Sequence, residues 1–107
     1  MIRALLVGAL CVAPIAQAAS PNAAELYRRH CFICHQAGGT GAVMLAKRLQ
    51  KGTSPLLDQR RDLQAPYVQA VARQGIGTMP RFTRIELPDA ELGMIADWLA
   101  AGPDGRR

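Results

Sequence analysis

Five consecutive residues carry the densest chemistry in the sequence: Cys31-Phe32-Ile33-Cys34-His35. Two thiols three positions apart, followed at once by an imidazole, match the C-x-x-C-H spacing of c-type haem attachment. The spacing has a physical reason. Thiols at that separation reach the two vinyl groups on one edge of a porphyrin and form thioethers. The next residue then lies under the ring, where its imidazole can bind iron. The alternatives fit less well. A zinc site would draw on Cys31, Cys34, His35 and His30, crowded together where tetrahedral sites usually take two separated pairs. A thioredoxin-like redox pair needs strand surroundings that this sequence does not signal. A plain disulfide leaves His35 and the Gly-rich stretches unexplained.

An iron held by one histidine takes a sixth ligand or stays open, and that choice separates electron transfer from ligand binding or catalysis. His30 adjoins Cys31 and cannot reach the far face of a ring. Met44 stands nine residues after His35, on the proximal side, and Met94 reads as core filler within a helix. Met79 differs. It sits in Gly75-Ile76-Gly77-Thr78-Met79-Pro80, 44 residues past His35, far enough to cross to the distal face. Gly75 and Gly77 permit close backbone approach to the ring, and Pro80 stiffens the ligand's position. The expected cofactor site is therefore Cys31, Cys34, His35 and Met79. His35 and Met79 are the iron ligands of one covalently bound haem c, and no catalytic residue is expected.

Something must hold these residues in place. The chain has 107 residues, 13 Lys+Arg against 8 Asp+Glu, a formal net charge of +5 and three cysteines. That length allows one small domain and excludes a barrel enzyme or a doubly wound dinucleotide-binding fold. Met1-Ile2-Arg3, the apolar run Ala4 to Ala13, and Ala16-Gln17-Ala18 read as a secretory signal peptide over residues 1–19. The run is well short of the roughly 20 residues that span a bilayer. Cleavage would remove Cys11, leave a domain at 20–107, and send it to the periplasm. Five aromatics remain (Tyr27, Phe32, Tyr67, Phe82 and Trp98), a thin core for a chain that small. Domains of this size usually need a staple, and a covalent cofactor would supply one.

Nothing alternates with the period of a strand. Four helices are expected: Ala23 into the Cys31 region, opened by an Asn22–Glu25 capping box; Val43 to Gln50; Ala65 to Gln74; and Pro88 to Ala101. On the last, Leu92, Ile95, Trp98 and Leu99 make one apolar face against which Leu26 and Tyr27 could pack. The fold class is all-α, about four helices wrapped around one haem.

The chain resembles a short class I cytochrome c over nearly all of residues 20–107. The residues carrying the resemblance are Leu26-Tyr27, Cys31-Phe32-Ile33-Cys34-His35, Met79-Pro80, Asp89-Ala90-Glu91-Leu92 and Trp98-Leu99. The stretch Tyr67 to Phe82 is similar to small periplasmic cytochromes that serve dehydrogenases, such as the cytochrome subunit of para-cresol methylhydroxylase. Two positions depart from the family's habit. Ala23 stands where Gly is common, and Ala42 where a Pro carbonyl usually accepts the His Nδ1–H bond; a backbone carbonyl near Gly41 to Val43 is expected to orient His35 instead.

With His and Met both bound, the iron has no place for substrate. The expected function is a periplasmic electron carrier, not an enzyme. It would accept single electrons from a flavin or quinone dehydrogenase and pass them to another cytochrome or an oxidase. Arg81 and Arg84 flank Met79 and would help dock an acidic partner. No nucleic acid partner is expected, and no stable membrane insertion once the signal is removed. The competing expectation is a haem sensor or catalyst with an open or displaceable sixth position.

Overall fold

The computed structural model describes residues 13–14 and 19–106. The expected signal peptide therefore lies largely outside the described residues. Among these, the architecture is helical throughout and no strand forms, as expected; an isolated bridge between Ile76 and Met79 is the one extended pairing.

Helix α1 (Ala23–His30) begins where the sequence says it should. Asn22 Oδ1 accepts from the Glu25 N–H, and Glu25 Oε2 accepts from the Asn22 N–H, both at 3.0 Å. This reciprocal cap satisfies two backbone donors that a helix start otherwise leaves bare. Arg28, Arg29 and His30 occupy the last turn, where positive charge suits the helix dipole. A four-residue helix, α2 (Phe32–His35), follows directly, then α3 (Thr40–Ala46). A 3₁₀ turn at Leu57–Gln59 precedes α4 (Ala65–Gln74), with Pro66 in its first turn. Helix α5 (Asp89–Ala100) is the longest, and α6 (Gly102–Gly105) closes the chain.

Three differences from expectation have local causes. Helix α3 starts at Thr40 and stops at Ala46, because the N–H groups of Arg48 and Leu49 both turn back to the Leu45 carbonyl and close the helix in a tight turn. Gly102-Pro103 ends α5 but also opens α6, since a proline in a first turn forfeits no helical hydrogen bond. Cys31 ends α1 with an α-region backbone, so the chain re-enters a helix at Phe32 instead of leaving it.

Helices α1 and α4 both pack on α5. Leu26, Tyr27, Leu63, Ala72, Leu87, Leu92, Ile95 and Leu99 form the core, with Trp98 packed partly buried against it. The Tyr27 and Trp98 rings meet at 5.2 Å between centroids, and Arg106 lies 3.8 Å over the Trp98 ring. Met94, expected as core, is exposed; the buried stripe of α5 runs through Leu92, Ile95, Ala96 and Leu99 and passes it by. No helix among the described residues is long and apolar enough to cross a membrane.

Candidate haem site

The haem motif is one helical turn. The N–H groups of Cys34 and His35 both donate to the Cys31 carbonyl, at 3.3 and 3.1 Å, and the Cys31 N–H donates to Tyr27 O at 2.9 Å. Residues i, i+3 and i+4 of a helix share a face, so Cys31, Cys34 and His35 come together on one side. Tyr27, which anchors this turn, is itself in the core, so the motif hangs from the α1–α5 packing. Both thiols are free. Burial, with a smaller contribution from Cys34, pushes the Cys31 thiol up to about 11. Redox-active pairs depend on a lowered thiol pKa, and the Cys31 thiol is shifted the other way. Among the described residues no group of three or more His, Cys, Asp or Glu is arranged to hold an ion.

His35 is buried, 9% exposed, and burial holds its imidazole below its ordinary value of 6.5, so the ring is neutral and has a lone pair to give. Helix α3 passes close across that ring. A Cβ on Gly41 would stand 2.9 Å from His35 Cε1 and 3.0 Å from Nδ1, and one on Gly39 would stand 2.5 Å from the Cys34 carbonyl oxygen. The expected carbonyl partner is not there: His35 Nδ1 is buried without a hydrogen bond. Packing against glycine backbone, not a hydrogen bond, fixes the ring.

Met79 lies in a tight loop after α4. Ile76 and Met79 exchange both backbone hydrogen bonds, at 3.1 and 2.9 Å, around Gly77-Thr78. Gly77 has φ +56° while no described residue other than glycine has positive φ, which makes this a type II′ turn with glycine at the position that requires it. Gly75 has a local reason to be glycine as well. Its open side faces the loop's own return, where a Cβ would stand 2.8 Å from the Met79 carbonyl oxygen. The tip of the loop, at Gly77, lies near the Arg48 guanidinium, and Phe82 at its base meets the His30 ring edge-on at 6.3 Å. The loop therefore stretches from beside Cys31 to the end of α3, alongside the segment that carries His35. Met79 itself is partly buried.

The residues present fit a haem. Phe32, Ile33 and Val43 from the motif and α3, with Ile76 from the Met79 loop, are large apolar side chains left exposed, Ile33 to 73%. Exposed apolar groups gathered around one feature of a small domain mark a surface meant to be covered. A mostly apolar groove of about 390 Å³ also runs along α3, lined by Ala42, Val43, Ala46, Pro55 and Leu56. A buried neutral imidazole, paired thiols on its own helical face and a cradle that any Cβ would fill complete the match.

The family model described as cytochrome C oxidase, cbb3-type, subunit III matches residues 18–99, most of the chain. The chain belongs to this cytochrome c family. No curated protein and no solved structure matches it. Membership makes the protein a c-type cytochrome domain of electron transfer and implies haem c and redox partners, in line with the reading from the motif. In this cytochrome the structure gathers three of the four expected site residues, Cys31, Cys34 and His35, on one helical face, and holds Met79 in a separate tight loop.

Two features of this cytochrome are not signalled by sequence. Arg73, at the end of α4, donates to the backbone on the far side of the Met79 loop. Arg84, expected as a free docking charge, is paired with Asp89 at 3.0 Å. Both reach partners that the chain brings near only by folding back after Met79, so neither partner could be named without the fold.

Proposed function

We propose that this cytochrome is a periplasmic carrier of single electrons, with residues 1–19 removed as a signal peptide and residues 20–107 forming the functional domain. Cys31 and Cys34 would hold one haem c through thioethers, and His35 and Met79 would ligate its iron. The haem supplies a reversible ferric–ferrous couple. The chain's own residues bind, orient and shield it. The observation that carries this reading is the single helical turn that puts Cys31, Cys34 and buried, neutral His35 on one face.

A thioether ligand favours the ferrous state, and an apolar surround disfavours the net charge of the ferric one, so the potential stands above that of a bis-His haem. The donor is a dehydrogenase of flavin or quinone type, and the acceptor another cytochrome or an oxidase. The family's description as an oxidase subunit supports the oxidase side of that pairing. Exposed Arg81, two residues past Met79, offers a positive charge to an acidic partner; Arg84 offers less, since Asp89 already neutralises it.

Visible absorption of protein matured in a periplasm tests the reading, taken oxidised, reduced, and reduced under CO. The expected result is a covalently held, low-spin haem whose reduced spectrum CO leaves unchanged. A spectrum shifted by CO would replace the carrier with a sensor or catalyst, and absence of covalent haem would overturn the assignment of the motif.

A further inference from the structure

The Met79 loop has little of its own to hold it. Between Gly75 and Arg81 its own backbone bonds are the reciprocal pair of Ile76 and Met79. Its position must come from its two ends. The first is the end of α4, where the Gly75 N–H donates to Val71 O at 2.8 Å. The second is the return segment, where the Phe82 N–H donates to Ala72 O at 2.8 Å.

Arg73 lies between these ends and ties them together. Its Nη1 donates to the carbonyls of Phe82 and Thr83, at 3.2 and 3.3 Å. Its Nη2 donates to the Leu87 carbonyl at 2.9 Å and to Asp89 Oδ1 at 2.6 Å. Asp89 in turn accepts from Arg84 Nε through its other oxygen, at 3.0 Å. The Arg73 side chain is only 18% exposed, so these bonds are not the loose contacts of a surface arginine. One guanidinium spans the end of α4, the whole return segment and the first turn of α5. A planar fork with several fixed donors can do this; a lysine ammonium cannot.

We propose that Arg73, anchored by Asp89, is a positioning residue for Met79: it closes the base of the loop and thereby keeps Met79 on the iron. The proposal rests on the reading that Met79 is the sixth ligand. If the base of the loop loosens, the loop opens locally while the α1–α5 core stays folded. An external ligand binds the iron from the population in which Met79 has moved away, so its apparent affinity rises in proportion to that population. Charge-assisted bonds of this kind are strong enough for their loss to raise that population about tenfold.

The experiment uses the haem-loaded protein, in wild type, Arg73→Gln and Asp89→Asn. The readouts are imidazole affinity of the ferric form, the far-red charge-transfer band of a methionine-bound ferric haem, and amide exchange of Ile76 and Met79. Arg61→Gln, which breaks an exposed pair with Asp104 elsewhere, is the control. Arg73→Gln is expected to bind imidazole about tenfold more tightly, to weaken the far-red band and to exchange those two amides faster, with Arg61→Gln unchanged. Asp89→Asn, which leaves the three carbonyl bonds in place, is expected to move all three readouts the same way by less, and it decides the matter if Arg73→Gln does not mature. A merely structural role would lower the melting temperature and leave imidazole affinity at 25 °C as it was. A far-red band in the wild type that neither variant alters, with unchanged imidazole affinity, overturns the proposal alone. A wild type without that band overturns the assignment of Met79, and the proposal with it.

Discussion

Gly41 crosses the His35 imidazole so closely that a methyl group on it would stand 2.9 Å from Cε1, and as near to the Cys34 carbonyl oxygen. In a helix, exchanging glycine for alanine ordinarily gains roughly 0.5–1 kcal/mol. Here the contact reverses the sign. Gly41→Ala must displace either the iron-binding ring or the backbone of the haem motif, and overpacking of that kind costs about 1–3 kcal/mol. Thermal melting of the haem-loaded protein is expected to show the loss, with a lower yield of attached haem. An unchanged or raised melting temperature would mean that α3 does not fix the ring.

Removal of the proposed sixth ligand gives a sharper readout. Met79→Ala is expected to bind CO when reduced, as the wild type does not, and to lose the far-red band when oxidised. Met79→His should keep a low-spin spectrum with a lower potential, because a thioether favours the ferrous iron more than an imidazole does. Redox titration of the three proteins checks this order.

Acid acts through His35. Its pKa in the fold is below the ordinary 6.5, because burial disfavours the charged ring. The folded state thus binds fewer protons at this site than the unfolded chain does. The contribution to stability is present in full above 6.5 and is lost as the pH falls from 6.5 toward the lower folded value. The fold of the haem-free chain should therefore persist from neutrality to below 6.5 and fail only at more acidic pH. Failure centred above 6.5 would mean that the imidazole is not held neutral by its surroundings.

The start of α1 sets the motif's footing. Asn22→Ala removes one half of the capping box and is expected to destabilise the protein by about 1 kcal/mol. Leu26, fully buried, stands one turn of helix before the motif; Leu26→Ala should cost roughly 2–5 kcal/mol. Denaturant titration followed at the haem measures both, and the larger effect must come from Leu26 if the α1–α5 packing carries the site.

Charge near the Met79 loop is expected to act on rate more than on stability. Arg81→Glu should slow the reduction of ferricyanide, an anionic oxidant, and the difference from wild type should shrink as salt is raised. Stopped-flow rates at several ionic strengths test this. Equal rates for both proteins would move the site of electron exit away from Arg81.

Much was legible in the sequence because it is written within a few residues. The Asn22–Glu25 box, the extent of α4 from Ala65 to Gln74, the apolar stripe of α5 and the C-x-x-C-H turn each depend on partners three or four positions apart, where chain connectivity leaves little choice. The helical fold and the family's chemistry follow from them. Other features depend on where the chain passes after longer excursions, and only the tertiary structure decided these. The His35 Nδ1 has no carbonyl partner, and α3 meets the ring with glycine backbone instead. Gly75 is small for the sake of its own loop's return. Arg84 is neutralised, and Arg73 reaches Asp89, because the segment after Met79 folds back along α4. A side chain's type says what it can bond; only the path of the backbone brings a partner within 3 Å, and that path is set by the burial of the core as a whole.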